Sequence, residues 1–177
     1  MKITLVRHSE VIESYQHCYN GLIDIGLSLN GKQQAKKIAE ELNNIIFEKV
    51  YCSDLKRAKQ TLDMFSLNLE PIYTKELREK SWGIHEGKSF EEIEKSGIKY
   101  ENFYQWITAL DGENIQNYIK RIERYFKEII FKQDCENILI ITHSGVIKTL
   151  LSIMNGIELE EAFSNSLPYS SYITLEI

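Results

Sequence analysis

The chain opens on an apolar run, Ile3-Thr4-Leu5-Val6, with no polar alternation, and such a run predicts a strand buried on both faces. From Ser28 the period changes. Ala35, Ile38, Ala39, Leu42 and Ile46 recur at helical spacing with Lys and Glu between them. Val50-Tyr51-Cys52 predicts a second strand, and Leu55, Ala58, Leu62 and Phe65 a second helical face. Pro71-Ile72-Tyr73 reads as a third, shorter strand, and Thr74 to Lys88, without a period, as loop. Ser89 with Glu92 forms a capping box for a short helix stopping near Gly97. The aromatic-rich stretch from Tyr100 to Leu110 predicts a helix. Ile115, Ile119, Ile122, Phe126, Ile129 and Ile130 mark a long amphipathic one. Ile138-Leu139-Ile140-Ile141 is the clearest strand. It leads into a helix carrying Val146, Ile147, Leu150, Leu151 and Met154, with Gly156 just past its end. Tyr172 to Ile177 alternates as a last strand. Strands alternating with helices predict an α/β layer fold with a mostly parallel central sheet. In such sheets the ligand site lies beyond the carboxyl ends of the strands.

Composition narrows the picture. At 177 residues the chain is expected to form a single domain, 1–177. Lys plus Arg is 21 and Asp plus Glu is 26, a net charge of −5. That balance argues against a nucleic-acid partner, which needs a basic face to displace counterions. The apolar N-terminal run is too short for a signal peptide, and no stretch approaches the ~20 apolar residues of a membrane helix. Cys18, Cys52 and Cys135 are too few and too widely spaced for a disulfide framework or a metal motif. Reduced thiols in a cytoplasmic protein, with no membrane partner, are the expectation. Oligomeric state is not legible.

The predicted strand ends carry the chemistry. Arg7 and His8 follow the first strand; Ser53, Asp54 and Arg57 follow the second; Thr142, His143, Ser144 and Gly145 follow the apolar strand near the C-terminus. Only five of the 21 basic residues are arginine, and two of those stand here. Guanidinium forks match phosphate oxygens two at a time, and helix N-termini add N–H donors. A neutral imidazole can attack phosphorus and carry it as phosphohistidine. His8 beside Arg7 is the candidate nucleophile. His143 is a second donor to the equatorial oxygens, and Glu79, from the irregular loop, a proton source for the leaving alkoxide.

Leu5-Val6-Arg7-His8-Ser9-Glu10 resembles the opening motif of the histidine phosphatase superfamily, the phosphoglycerate-mutase-like fold. Further blocks follow in order: Gly21 and Asp24 with Leu27 to Gly31 and Gln34-Ala35; Tyr51 to Thr61; Leu77-Arg78-Glu79 with Trp82 to Gly87; Gly112-Glu113-Asn114; and Ile140 to Ile147. The resemblance spans nearly the whole chain. It implies a three-layer α/β/α sandwich, His8 as phosphorylated nucleophile, Arg7, Arg57 and His143 as phosphate ligands, Glu79 as proton donor, and no metal or cofactor. It also places Asn20, Gly21 and Ser144 among the substrate-binding residues. This chain departs from the family pattern in having Ser9 after the nucleophile, His143-Ser144-Gly145 where His-Gly-Gly is common, and Ser14 where Asn is common.

The implied partner is a small phosphorylated metabolite, and the implied reaction phosphomonoester hydrolysis. Three alternatives stand beside it: an α-ribazole phosphatase of cobalamin biosynthesis, a phosphoglycerate mutase, and a non-catalytic phosphate-binding module. A mutase would need an insertion after the acid block, and the stretch from Glu79 to Gly112 is short and free of arginine. Gly26 to Lys32 matches seven positions of a P-loop, but Gln33 replaces the metal-binding hydroxyl. His17 and His85 are read as non-catalytic. Trp82, Tyr100, Tyr104 and Trp106 are read either as pocket lining or as ordinary packing.

Overall fold

The computed structural model describes residues 1–108 and 111–177. In chain order its elements are β1 (Lys2–Arg7), α1 (Leu29–Glu41), β2 (Lys49–Ser53), α2 (Lys56–Leu62), β3 (Ile72–Thr74) and α3 (Phe90–Lys95). They continue with α4 (Phe103–Ile107), α5 (Ile115–Tyr125), β4 (Asn137–Thr142), α6 (Ser144–Asn155), α7 (Leu159–Ser164) and β5 (Tyr172–Glu176). The strands form one sheet in the order β3-β2-β4-β1-β5. Only β5 runs antiparallel to its neighbour.

The period of two along the strands builds the layers. Ile138 and Ile140 of β4, with Ile3 and Leu5 of β1, pack beneath Tyr118 and Ile122 of α5 and Val146 and Leu150 of α6. Leu139 and Ile141, with Val6, Val50 and Cys52, pack on the other face against Ile38 of α1 and Ala58 and Leu62 of α2. Because β1, β2 and β4 are parallel, their carboxyl ends fall on one edge of the sheet.

The local signals act as anticipated at several boundaries. Ser28 caps α1, its Oγ accepting from the Gly31 N–H at 2.8 Å. A Cβ on Gly31 would lie 2.0 Å from the Glu10 carbonyl oxygen, so the close approach of the two segments requires glycine. The P-loop-like stretch is therefore a helix cap. Ser89 and Glu92 form the reciprocal capping box of α3, and Gly156 ends α6 at φ +63°.

Elsewhere the chain differs from the pattern. α1 stops at Glu41, so Ile46 lies beyond the apolar face that its spacing suggested and is 83% exposed. α2 stops before Phe65. The Tyr100–Leu110 stretch contributes only α4 within the described residues; Ala109 and Leu110 lie outside them. The amphipathic pattern from Ile115 covers α5 and then a π-helical turn, Phe126–Ile130. The six-residue α7 has too few turns for its apolar spacing to stand out. Cys18, Cys52 and Cys135 are unpaired, and no helix of the described residues is long and apolar enough to cross a membrane.

This packing separates two isoleucine-like positions. Leu139→Ala should lower stability by ~2–5 kcal/mol, as expected for a cavity in a closed core, whereas Ile46→Ala should stay within about 0.5 kcal/mol of wild type. Urea unfolding followed by circular dichroism measures both.

Candidate active site

β1 and β4 are adjacent and in register through Arg7 and Thr142, so the next residue of each strand, His8 and His143, must stand side by side. Their ring centroids are 5.1 Å apart. Both imidazoles are buried. His8 Nδ1 lies 2.8 Å from the Ser9 carbonyl oxygen. A carbonyl only accepts, so Nδ1 carries the proton and Nε2 is left with its lone pair. Burial, reinforced by Arg57 and Arg7, holds the His8 pKa well below the ordinary imidazole range. The ring is thus neutral near pH 7. Burial does the same to His143, with Arg57 and His8 contributing. His143 Nε2 lies 2.8 Å from Ser53 Oγ at the end of β2.

Arg57 enters from the first turn of α2 and has no exposed surface. Its Nη1 donates to the Ile23 carbonyl at 2.8 Å, and its Nη2 to those of Gly21 at 2.7 Å and Asn20 at 3.1 Å. That loop is itself pinned by Glu86, whose carboxylate accepts from the N–H groups of Gly21, Leu22, Ile23 and Trp82 at 2.9–3.2 Å. A Cβ on Gly21 would meet Glu86 Oε1 at 2.3 Å and the Lys80 carbonyl at 2.1 Å. Gly21 thus supports Arg57 from behind the cavity rather than lining it. Burial lowers the Arg57 pKa to about 10, still cationic at neutral pH.

Arg7 donates through Nη1 to the Leu167 carbonyl, and its guanidinium carbon lies 4.0 Å from the centre of the Tyr169 ring. Tyr169 also faces His8 at 5.5 Å between centroids. Arg7 Nε, Arg57 Nε and His143 Nδ1 are buried and have no protein partner. Two cationic donors and an imidazole nitrogen left unsatisfied around one neutral histidine fit an anion with several oxygens.

Glu79 follows the 3₁₀ turn Lys75–Leu77. Tyr118 Oη donates to its Oε1 at 2.8 Å, the Lys80 N–H to the same oxygen at 3.0 Å, and the Gly145 N–H to Oε2 at 2.9 Å. Burial, with Glu79 beside it, raises the Tyr118 pKa well above the phenolic value, so the hydroxyl remains a donor. A Cβ on Gly145 would lie 2.2 Å from Glu79 Oε1, which is why glycine stands in the first turn of α6. The loop is braced on both sides of the acid. Arg78 pairs in bidentate fashion with Asp54 at 2.6 and 2.7 Å. Arg121 binds Glu113 and donates to the carbonyls of Glu76 and Arg78.

Arg7, His8, Asn20, Glu79 and Ser144 line a cavity of about 230 Å³; Arg57 and His143 lie sealed just behind its lining. Asn20 Nδ2 donates to the Tyr15 carbonyl, leaving Oδ1 buried and unpartnered. Tyr118, Glu86 and Tyr169 were not singled out individually by the sequence. Tyr118 falls on the apolar side of α5, where an aromatic reads as core. His85, by contrast, does not line this cavity, and its Nε2 lies 2.5 Å from Tyr100 Oη.

The chain has relatives among known proteins. The chain is 29% identical over 160 residues to the adenosylcobalamin/alpha-ribazole phosphatase of Salmonella typhimurium, covering 86% of this chain and 78% of that protein. It is 27% identical over 186 residues to phosphoserine phosphatase 1 of Hydrogenobacter thermophilus, covering 100% and 87%. The crystal structure of the alpha-ribazole phosphatase from Shigella flexneri superposes with a TM-score of 0.86 at 25% identity, over 100% of this chain and 91% of that one. The Histidine phosphatase superfamily (branch 1) pattern matches residues 3–177. With the match running from the first strand to the last residue, the chain belongs to the histidine phosphatase superfamily, branch 1.

Proposed function

We propose that the protein hydrolyses small phosphate monoesters through a phosphohistidine on His8. The observation that carries this reading is the neutral His8, its Nε2 free, beside buried and unpartnered donor atoms of Arg7, Arg57 and His143. The phosphoryl group sits between these donors, which stabilise the charge on its equatorial oxygens. His8 Nε2 attacks phosphorus in line with the ester oxygen. Glu79 gives a proton to the departing alkoxide and regains one from the water that hydrolyses the phosphohistidine. Tyr118, Gly145 and Lys80 hold that carboxylate in place. Catalysis draws on guanidinium and imidazole groups, with no metal required.

The two relatives are named for different substrates, one for α-ribazole phosphate and one for phosphoserine. The reading therefore stays at small phosphorylated metabolites, with α-ribazole phosphate the second reading that the names of the Salmonella and Shigella proteins favour. Hydrolysis is preferred to mutase chemistry because only a short, arginine-free segment separates Glu79 from Gly112, too little to close the intermediate off from water.

Three outcomes follow. His8→Ala should reduce turnover of p-nitrophenyl phosphate by roughly a thousandfold or more and abolish protein labelling by a ³²P-phosphoester; wild type and variant equally inactive, yet still binding phosphate, would mean a binding module. Glu79→Gln should slow alkyl phosphates more than p-nitrophenyl phosphate, seen as a steeper dependence of rate on leaving-group pKa. Incubation with 3-phosphoglycerate should release inorganic phosphate, and phosphorus NMR showing isomerisation without release would turn the assignment to a mutase.

A further inference from the structure

Beyond the phosphate donors the cavity changes character. Tyr19, Trp82, Phe90, Trp106 and Phe163 also line it. They come from the loop before Gly21, the loop after Glu79, α3, α4 and α7, so five separate segments converge. The rings form a continuous wall. Centroids are 4.9 Å apart for Trp82 and Trp106, 5.2 Å for Tyr19 and Trp82, 4.9 Å for Tyr19 and Phe90, and 6.3 Å for Trp106 and Phe163. The polar atoms of the wall are turned on one another. Trp106 Nε1 donates to Tyr19 Oη at 3.1 Å.

The two lysines of the lining are tied in the same way. Lys80 Nζ donates to the Ser81 carbonyl at 2.9 Å and lies 4.5 Å from the centre of the Trp82 ring. Lys148 Nζ donates to the Phe163 carbonyl at 2.9 Å and lies 5.6 Å from that ring. Both ammonium groups are thus anchored on backbone carbonyls, whereas Arg7 and Arg57 keep buried, unpaired Nε atoms for the phosphate. A pocket with cationic donors at one end and aromatic carbon along its wall matches an ester whose alcohol carries a flat ring.

We propose that this wall is a leaving-group subsite, and that the physiological substrate is a phosphate monoester bearing an aromatic or heteroaromatic ring, stacked against Trp82, Trp106 and Phe163. The inference rests on the hydrolase reading for the placement of the phosphoryl group and deepens it.

The only two tryptophans of the chain, Trp82 and Trp106, both stand in the wall, so their fluorescence reports on it directly. Benzylphosphonate should bind at least tenfold more tightly than methylphosphonate and alter tryptophan emission, an increment in line with stacked aromatic pairs. Phosphate esters with alkyl leaving groups provide the kinetic counterpart. The ratio of kcat/KM for 2-phenylethyl phosphate to that for ethyl phosphate should exceed about ten in the wild type and fall severalfold in Trp106→Leu and in Phe163→Ala. Either variant suffices if the other fails to fold. Equal affinity for the two phosphonates with unchanged emission, or a kcat/KM ratio near one, overturns the subsite while hydrolysis of both esters leaves the hydrolase reading intact. Hydrolysis of neither ester, with benzylphosphonate still binding tightly, keeps the subsite and overturns the hydrolase reading instead.

Discussion

A guanidinium with no exposed surface must be solvated by the protein around it, and the architecture of the site follows from meeting that demand for Arg57. Stripping water from an unpaired cation is costly. Three backbone carbonyls of the segment from Asn20 to Ile23 replace part of the water, and burial still lowers the pKa to about 10. Carbonyls can do this only if the loop keeps one conformation. Glu86 fixes it by gathering four N–H groups of the same region, so one acidic side chain stabilises the turn that in turn stabilises the cation. What remains is Nε, buried and unpaired. The unmet donor is the part of Arg57 on which a phosphate would act, and its direction is set before any ligand arrives.

The acid is held by the same logic with opposite sign. Glu79 has no element of its own to hold it; it sits between a bidentate Arg78–Asp54 pair and the carbonyls gripped by Arg121. Its two oxygens are then fixed by Tyr118 and by the first turn of α6. Gly145 is where the acid loop and the His143 strand end come into contact, and a methyl group there would displace the carboxylate before it disturbed the helix. Preorganisation on this scale lets donors act on developing charge without first reorienting.

The sequence carried the frame and the candidate site groups, and missed most of what holds them. Uninterrupted runs at Ile3 to Val6 and Ile138 to Ile141 are buried on both faces, a condition that leaves no other pattern open to them. Parallel pairing then forces His8 and His143 together, so strand-end chemistry was legible without coordinates. Ile46 misled because spacing continues past the point where the helix stops. Tyr118 was invisible as a partner of Glu79 because its ring is core and only its hydroxyl is polar. An amphipathic pattern cannot say which buried tyrosine finds an acceptor. The covering segment was equally hidden. Leu167, Tyr169 and Ser170 reach Arg7, His8 and Ser9 across about 160 residues of sequence, a contact no local rule contains.

Net charge and local charge point in opposite directions here, and the difference has a physical use. The chain carries −5, yet Arg7 in the cavity lining and Arg57 just behind it stand beside two neutral imidazoles. At physiological ionic strength fields between exposed groups fade within about 8 Å, whereas buried pairs are screened far less. A small monoester that enters the cavity meets donors already stripped of water. Placing two guanidinium groups at one cavity of a chain with net negative charge therefore confines the attraction for an anion to that cavity.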